Sequence, residues 1–187
     1  MPFRYYDRLS RAQKAIYDQS DRITEVHLPG AELLRPLVPA LSGALASEAR
    51  EHVEIACQLL LERLTQALRV SPVRVAVLSA RPHRHWGELH GLYTESRRTL
   101  PPKITLWMRT ARQRRVVAFR TFLRTLLHEL CHHLDYRLFR LKDSYHTEGF
   151  YKREASLFHQ LVPPQEAVDG RPDLRDHEPR PEEKHVR

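Results

Sequence analysis

The sequence predicts an α+β domain: helices first, then a small three-stranded, mostly antiparallel sheet, then a long helix and a shorter C-terminal one. Three observations carry this expectation. Residues 42–69 place Leu45, Val53, Ala56, Leu60, Leu64 and Leu68 among the inward positions of a helix whose other faces are charged. Short apolar segments near 73–78, 89–93 and 103–108 have strand length and partial alternation. Beyond them, Phe119, Phe122, Leu123, Leu126, Leu127, Leu130 and Leu134 draw one apolar stripe at spacings of three and four. No Pro or Gly stands between Lys103 and Glu148 to interrupt it.

The elements follow in order. Ser10 is placed to cap a short helix through Gln19, with Ala15, Ile16 and Tyr17 among its apolar positions. Pro29-Gly30 marks a loop, and Pro36 and Pro39 predict a broken or irregular start over 33–41. One continuous helix is expected over 42–69. Val73, Val75 and Val77 alternate with their neighbours after Pro72. Leu89–Tyr93 carries Gly91, a position where another backbone can approach closely. In 103–108, Ile104, Leu106 and Met108 face opposite to Thr105 and Trp107. After the long helix, Lys142-Asp143-Ser144-Tyr145 reads as a polar turn, and a last helix starts near Thr147 and runs to Leu161 with Phe150, Leu157, Phe158 and Leu161 inward.

Length and composition fit one domain over 1–162, with a helical N-terminal region over residues 1–70 and a core over 71–162. The Pro-rich, charged tail 163–187 is expected to be disordered. No stretch of 18 apolar residues exists and the N-terminus has no apolar signal segment, so the expectation is a cytoplasmic protein with no membrane span. Cys57 and Cys131 make no CxxC pair, which excludes a disulfide scaffold or zinc ribbon within the chain; Cys131 reads as a small core residue. The net charge is +8, and arginine dominates the basic residues. The densest cluster is Arg109, Arg112, Arg114, Arg115, Arg120 and Arg124. It reads as a solvated basic face, or through Arg109, Arg112, Arg114 and Arg115 as a weak, sequence-independent nucleic-acid surface on the rim of the cleft.

Within the long helix stands His128-Glu129-Leu130-Cys131-His132, an H-E-x-x-H run. Positions i and i+4 share a helical face, so His128 and His132 can hold one metal ion between them. Glu129 can reach a water activated by that ion without ligating it, the position of a general base. Two imidazoles and a carboxylate on a largely apolar helix would be costly to bury without a partner, and a cation is an efficient one. The residues therefore point to Zn2+.

A catalytic zinc takes three protein ligands and keeps one position open. Two downstream residues qualify as the third. His146 precedes the last helix; Glu154 lies within it, on the apolar face with Phe150, Leu157, Phe158 and Leu161. Glu154 could equally stand behind a ligand imidazole and fix it. Asp135 is either such a partner for His132 or an exposed helix carboxylate. Tyr145 and Tyr151 flank the site and are candidate oxyanion donors, with packing as the plainer role. His133 points off the ligand face, toward the surface. His83, His85 and His90 surround Trp86 in a loop that could line the cleft, without being ligand candidates.

Together, the H-E-x-x-H run and His146-Thr147-Glu148-Gly149-Phe150 resemble the SprT-like (Spartan-type) zinc metallopeptidases, in which a third His opens an H-G-x-x-F-like segment before a helix. Gly91-Leu92-Tyr93 and Ile104-Thr105-Leu106 are similar to that family's glycine-bearing strand and to the strand preceding its active-site helix. The likeness covers roughly residues 73–161. It implies a minimal zincin-like fold, a zinc peptidase acting on protein or peptide, and His146 as the third ligand. Two departures stand out: Thr147 replaces the usual glycine, and no cysteine follows Cys131, so the zinc ribbon of some relatives is absent. An antiparallel edge strand near the metal would let an extended substrate pair by β-addition. The competing expectation is a zinc-stabilised binding module without turnover, with nucleic acid as one candidate partner, and the intact Glu129 counts against it.

Overall fold

A computed structural model describes residues 3–80, 91–95, 100–110 and 114–163. The tail beyond 163, His83, His85, Trp86, His90 and Arg112 lie outside the described residues. After a 3-10 turn Arg4–Arg8 come α1 (Arg11–Asp21), α2 (Ala31–Leu34), α3 (Leu37–Ala46) and α4 (Arg50–Ala67). The strands β1 (Arg74–Ala80), β2 (Gly91–Thr94) and β3 (Lys103–Arg109) follow, and then α5 (Phe119–Arg137) and α6 (Glu148–Leu161). This is the expected α+β arrangement. Among the described residues no helix is long and apolar enough to cross a membrane.

Local chemistry sets the helix starts. Ser10 caps α1 in a reciprocal box: its Oγ accepts the Gln13 N–H, and the Gln13 side chain accepts the Ser10 N–H. Pro36 flanks α3 and Pro39 sits in its first turn, where a missing N–H loses no helical bond, so the irregular start resolves into two short helices. The expected single helix over 42–69 is broken. Glu48 adopts φ 57°, and Ser47 Oγ donates to the Ala44 carbonyl at 2.7 Å, so α3 ends and α4 begins afresh. The Glu48 side chain is held across the fold by Arg109.

The sheet corrects the expected pairing. Its order is β1-β3-β2; β3 runs parallel to β1 (Val75 opposite Ile104, Val77 opposite Leu106) and antiparallel to β2 (Gly91 opposite Leu106, Tyr93 opposite Ile104). The sheet is thus mixed rather than mostly antiparallel. The chain between β1 and β3 is long enough to make a crossover that includes β2, so β3 inserts between the two earlier strands. Ile104, Leu106 and Met108 are buried on one face with Val77, and Thr105 and Trp107 are buried on the other.

The outer edge of β1 is closed by side chains of α4 at helical spacing. Gln58 and Glu54 accept the Val75 and Val77 N–H groups at 2.9 and 2.8 Å, while Arg50 donates to the Val77 carbonyl. That arrangement blunts one sheet edge. The other edge strand is β2, which packs against α5 and stands beside the candidate site. Helix α5 runs through the middle of the core, with Phe122, Leu123, Leu126, Leu127, Leu130 and Leu134 all buried.

Candidate metal centre

His128 and His132 lie one turn apart on α5, and His146 enters from the loop between α5 and α6. Their ligand nitrogens all fall within 4.8 Å of one another. His146 Nε2 is 2.9 Å from His128 Nε2 and 3.1 Å from His132 Nε2. A tetrahedral ion about 2.0–2.1 Å from each nitrogen would set them about 3.3 Å apart, so these two separations need to open by only a few tenths of an ångström to take one.

The far nitrogens explain why the near ones can serve as donors. His128 Nδ1 faces Glu154 Oε2 at 3.1 Å, and Glu154 is buried behind it, within 3.7 Å of Arg124. Glu154 Oε2 is placed to accept from His128 Nδ1–H, and the tautomer with its proton there turns the Nε2 lone pair toward the cluster. His132 Nδ1 lies 2.7 Å from Ser144 Oγ, and Ser144 Oγ donates to Asp135 Oδ2 at 2.7 Å. Ser144 has one hydroxyl proton and spends it on Asp135, so it accepts from His132 Nδ1–H. Arg153 Nη2 closes the chain on Asp135 Oδ1 at 2.8 Å, with both side chains 0% exposed. Lone pairs converging this closely call for a cation, and the donor set fits a metal ion.

Each site residue expected from the sequence can now be placed. Glu154 buttresses His128 and stands outside the three-histidine group. Asp135 is linked to His132 through Ser144 and is fully buried, so it is not an exposed helix carboxylate. Burial pushes its carboxyl up to about 6, opposed chiefly by Arg153 and Ser144. Glu129 is 6% exposed, and its carboxylate lies against β2: a Cβ on Gly91 would come within 2.5 Å of Glu129 Oε1. The close approach expected at Gly91 is therefore made by a side chain, and glycine there leaves room for the carboxylate. Tyr145 is buried among aromatic rings, and Tyr151 stacks on the His146 ring at 5.9 Å.

His133 is the clear correction. It is 0% exposed, its Nε2 lies 2.7 Å from the Ser71 carbonyl, and its Nδ1 lies 3.2 Å from the Tyr93 hydroxyl. Burial pulls its pKa down, so it is a neutral link between α5, β2 and the chain after α4. Thr147 also answers the departure from glycine: its backbone is extended, and its Oγ1 accepts the Phe150 N–H at 2.9 Å as the N-cap of α6. Gly149 is needed instead, because a Cβ there would meet the Asp21 carbonyl at 2.3 Å.

Of the arginine cluster, Arg109 is engaged by Glu48 and by the Arg114 carbonyl, while Arg114 and Arg115 are exposed. Arg124 lies over the Phe158 ring at 4.1 Å. Two contributors escaped sequence reasoning. Ser144 carried no signal beyond a polar turn. Arg153 did carry one: it falls on the same inward face of α6 as Phe150 and Leu157, where a cation needs a partner. Comparisons with protein-family models, with curated proteins and with solved structures find no match to this chain.

Proposed function

We propose that the chain is a zinc-dependent metallopeptidase of the SprT-like type, with His128, His132 and His146 as ligands and Glu129 as general base. The observation that carries this reading is the convergence of three imidazole Nε2 atoms, with the buried Glu129 carboxylate following the first of them in sequence on the same helix. Imidazole donors in tetrahedral reach suit zinc, whereas calcium and magnesium prefer oxygen. When bound, zinc supplies a Lewis acid and brings the pKa of a water to about 7. Glu129 would serve as the general base, taking a proton from the attacking water and returning it to the leaving amine. Glu154 and the Ser144–Asp135–Arg153 chain hold His128 and His132 in the tautomer that presents Nε2. The edge strand β2, against which Glu129 packs, suits an extended protein or peptide substrate paired by backbone hydrogen bonds.

A closed structural site would have four ligands and no use for a base, and the three-histidine group next to Glu129 favours turnover over a binding module. The test is elemental analysis of purified protein beside hydrolysis of an unstructured protein, for wild type and Glu129→Gln. One zinc per chain in both, with hydrolysis reduced about 10²-fold or more in the variant, is the expected outcome. Equal cleavage by the two proteins would refute the assignment.

A further inference from the structure

We infer that Phe3 and Tyr5, at the N-terminal end of the chain, clamp the third ligand, and that Tyr5 is a positioning residue for His146. The inference rests on the three-histidine reading of the metal site, and it deepens that reading by naming what holds the one ligand that no helix carries. His128 and His132 are fixed by α5. His146 belongs to the irregular loop between α5 and α6, whose backbone needs support from elsewhere.

Tyr5 supplies that support across 141 residues of sequence: its hydroxyl donates to the His146 carbonyl at 2.6 Å. Its ring stacks on Tyr145, the residue preceding the ligand, with centroids 6.5 Å apart and planes 28° from parallel. Tyr17 of α1 braces both rings from a buried position, 5.9 Å from Tyr5 and 6.2 Å from Tyr145, and its hydroxyl accepts the Phe3 N–H at 3.1 Å. Phe3 in turn meets Tyr151 edge-on at 6.0 Å, and Tyr151 stacks on the His146 imidazole. The segment thus reaches the ligand twice, at its backbone through Tyr5 and at its ring through Tyr151.

The clamp has a rigid base. Asp21 Oδ1 accepts the Gly149 N–H at 2.9 Å, and Arg153 donates to the Ser20 carbonyl at 2.7 Å, which ties the end of α1 to α6. An 11-residue helix at the start of the chain and a ligand loop near its end therefore form one unit.

The test compares Tyr5→Phe with Tyr6→Phe in the full chain. Tyr5→Phe keeps the ring and removes only the hydroxyl on His146. Tyr6→Phe removes a hydroxyl of the same segment that instead donates to Asp18 at 3.3 Å. Zinc affinity is read by chelator competition, and ligand geometry by the visible spectrum of the Co2+-loaded protein. The expected result is a loss of about 10-fold in zinc affinity and an altered Co2+ spectrum for Tyr5→Phe, the range for losing a group that orients a ligand. Tyr6→Phe should match wild type in both. Unchanged affinity and spectrum in Tyr5→Phe would overturn the inference, as would equal losses in the two variants, which would signal general loosening. Wild type that binds neither ion would sink the metal reading and this inference with it. Wild type that binds zinc but hydrolyses nothing would sink the peptidase assignment alone and leave the clamp standing.

Discussion

Replacing Asp135 separates two roles that the buried chain from Arg153 to His132 combines. Asp135 and Arg153 are both 0% exposed and meet at 2.8 Å, so Asp135→Asn leaves a guanidinium buried without its counter-charge. Breaking such a pair by removing one partner costs about 3–5 kcal/mol. That is a large share of the total stability of about 5–15 kcal/mol usual for a domain. The amide also cannot accept from both Ser144 and Arg153, so the proton order that fixes His132 is lost, and zinc affinity should fall by about 10–100-fold. The double variant Asp135→Leu with Arg153→Met removes both charges together. It should recover most of the stability, because apolar groups replace a buried pair at little cost. It should not recover zinc affinity, since Ser144 still lacks its acceptor. Urea unfolding of the apoprotein and chelator competition read the two quantities independently. A double variant that regains both would show that the chain serves packing alone. The pH dependence adds a further check. The Asp135 pKa is raised from 3.8 to about 6, so native protein takes up a proton before the unfolded chain does. Desolvation of the carboxylate here outweighs the Arg153 attraction and offsets part of the cost of losing the pair, so the group's contribution is fully present below pH 3.8 and is lost as pH rises through 6. Apo wild type should show that downward slope relative to Asp135→Asn between these values, and parallel curves would refute it.

Two further expectations test the site itself. His146→Ala should lose zinc in elemental analysis, while Glu154→Ala should retain most of it with weaker affinity, because Glu154 stands behind His128 at 3.1 Å. The reverse result would make Glu154 the third ligand. Gly91→Ala should lower hydrolysis by about 10-fold or more while zinc remains bound, since the added methyl would sit 2.5 Å from the Glu129 carboxylate and displace the base. Wild-type turnover in that variant would mean Glu129 does not act from this position.

What the sequence made legible followed from regular spacing. The stripe from Phe119 to Leu134 is an uninterrupted helical period, and α5 spans Phe119–Arg137. The motif then places two imidazoles one turn apart whatever else the chain does. Ser10 was readable as a cap because a cap acts within three residues, whereas at Thr147 spacing marked only the start of a helix and the structure adds the cap. The break between α3 and α4 was not readable. No Pro or Gly marks it, and the left-handed Glu48 is stabilised by an arginine 61 residues away. The direction of β3 was hidden for a similar reason: pairing with β1 or β2 depends on which side of the sheet the chain returns to, and alternation is the same either way.

His133 shows where periodicity itself fails. A position off the ligand face of a surface helix would be exposed, but α5 is buried on nearly every side, with Thr125, Asp135 and His133 enclosed alongside its leucines. In such a helix the polar residues mark places where another segment brings a partner: Ser71 to His133, Ser144 and Arg153 to Asp135, Glu154 to His128. Those partners come from separate stretches of chain, and no spacing rule connects them. The constraint that does connect them is satisfaction of buried polar groups. Applied to α6, it singles out Arg153 as well as Glu154, because both lie on an apolar face and each needs an opposite charge or a donor. The ligands of this site were therefore legible as a motif, and the groups that aim them become legible only once burial is known.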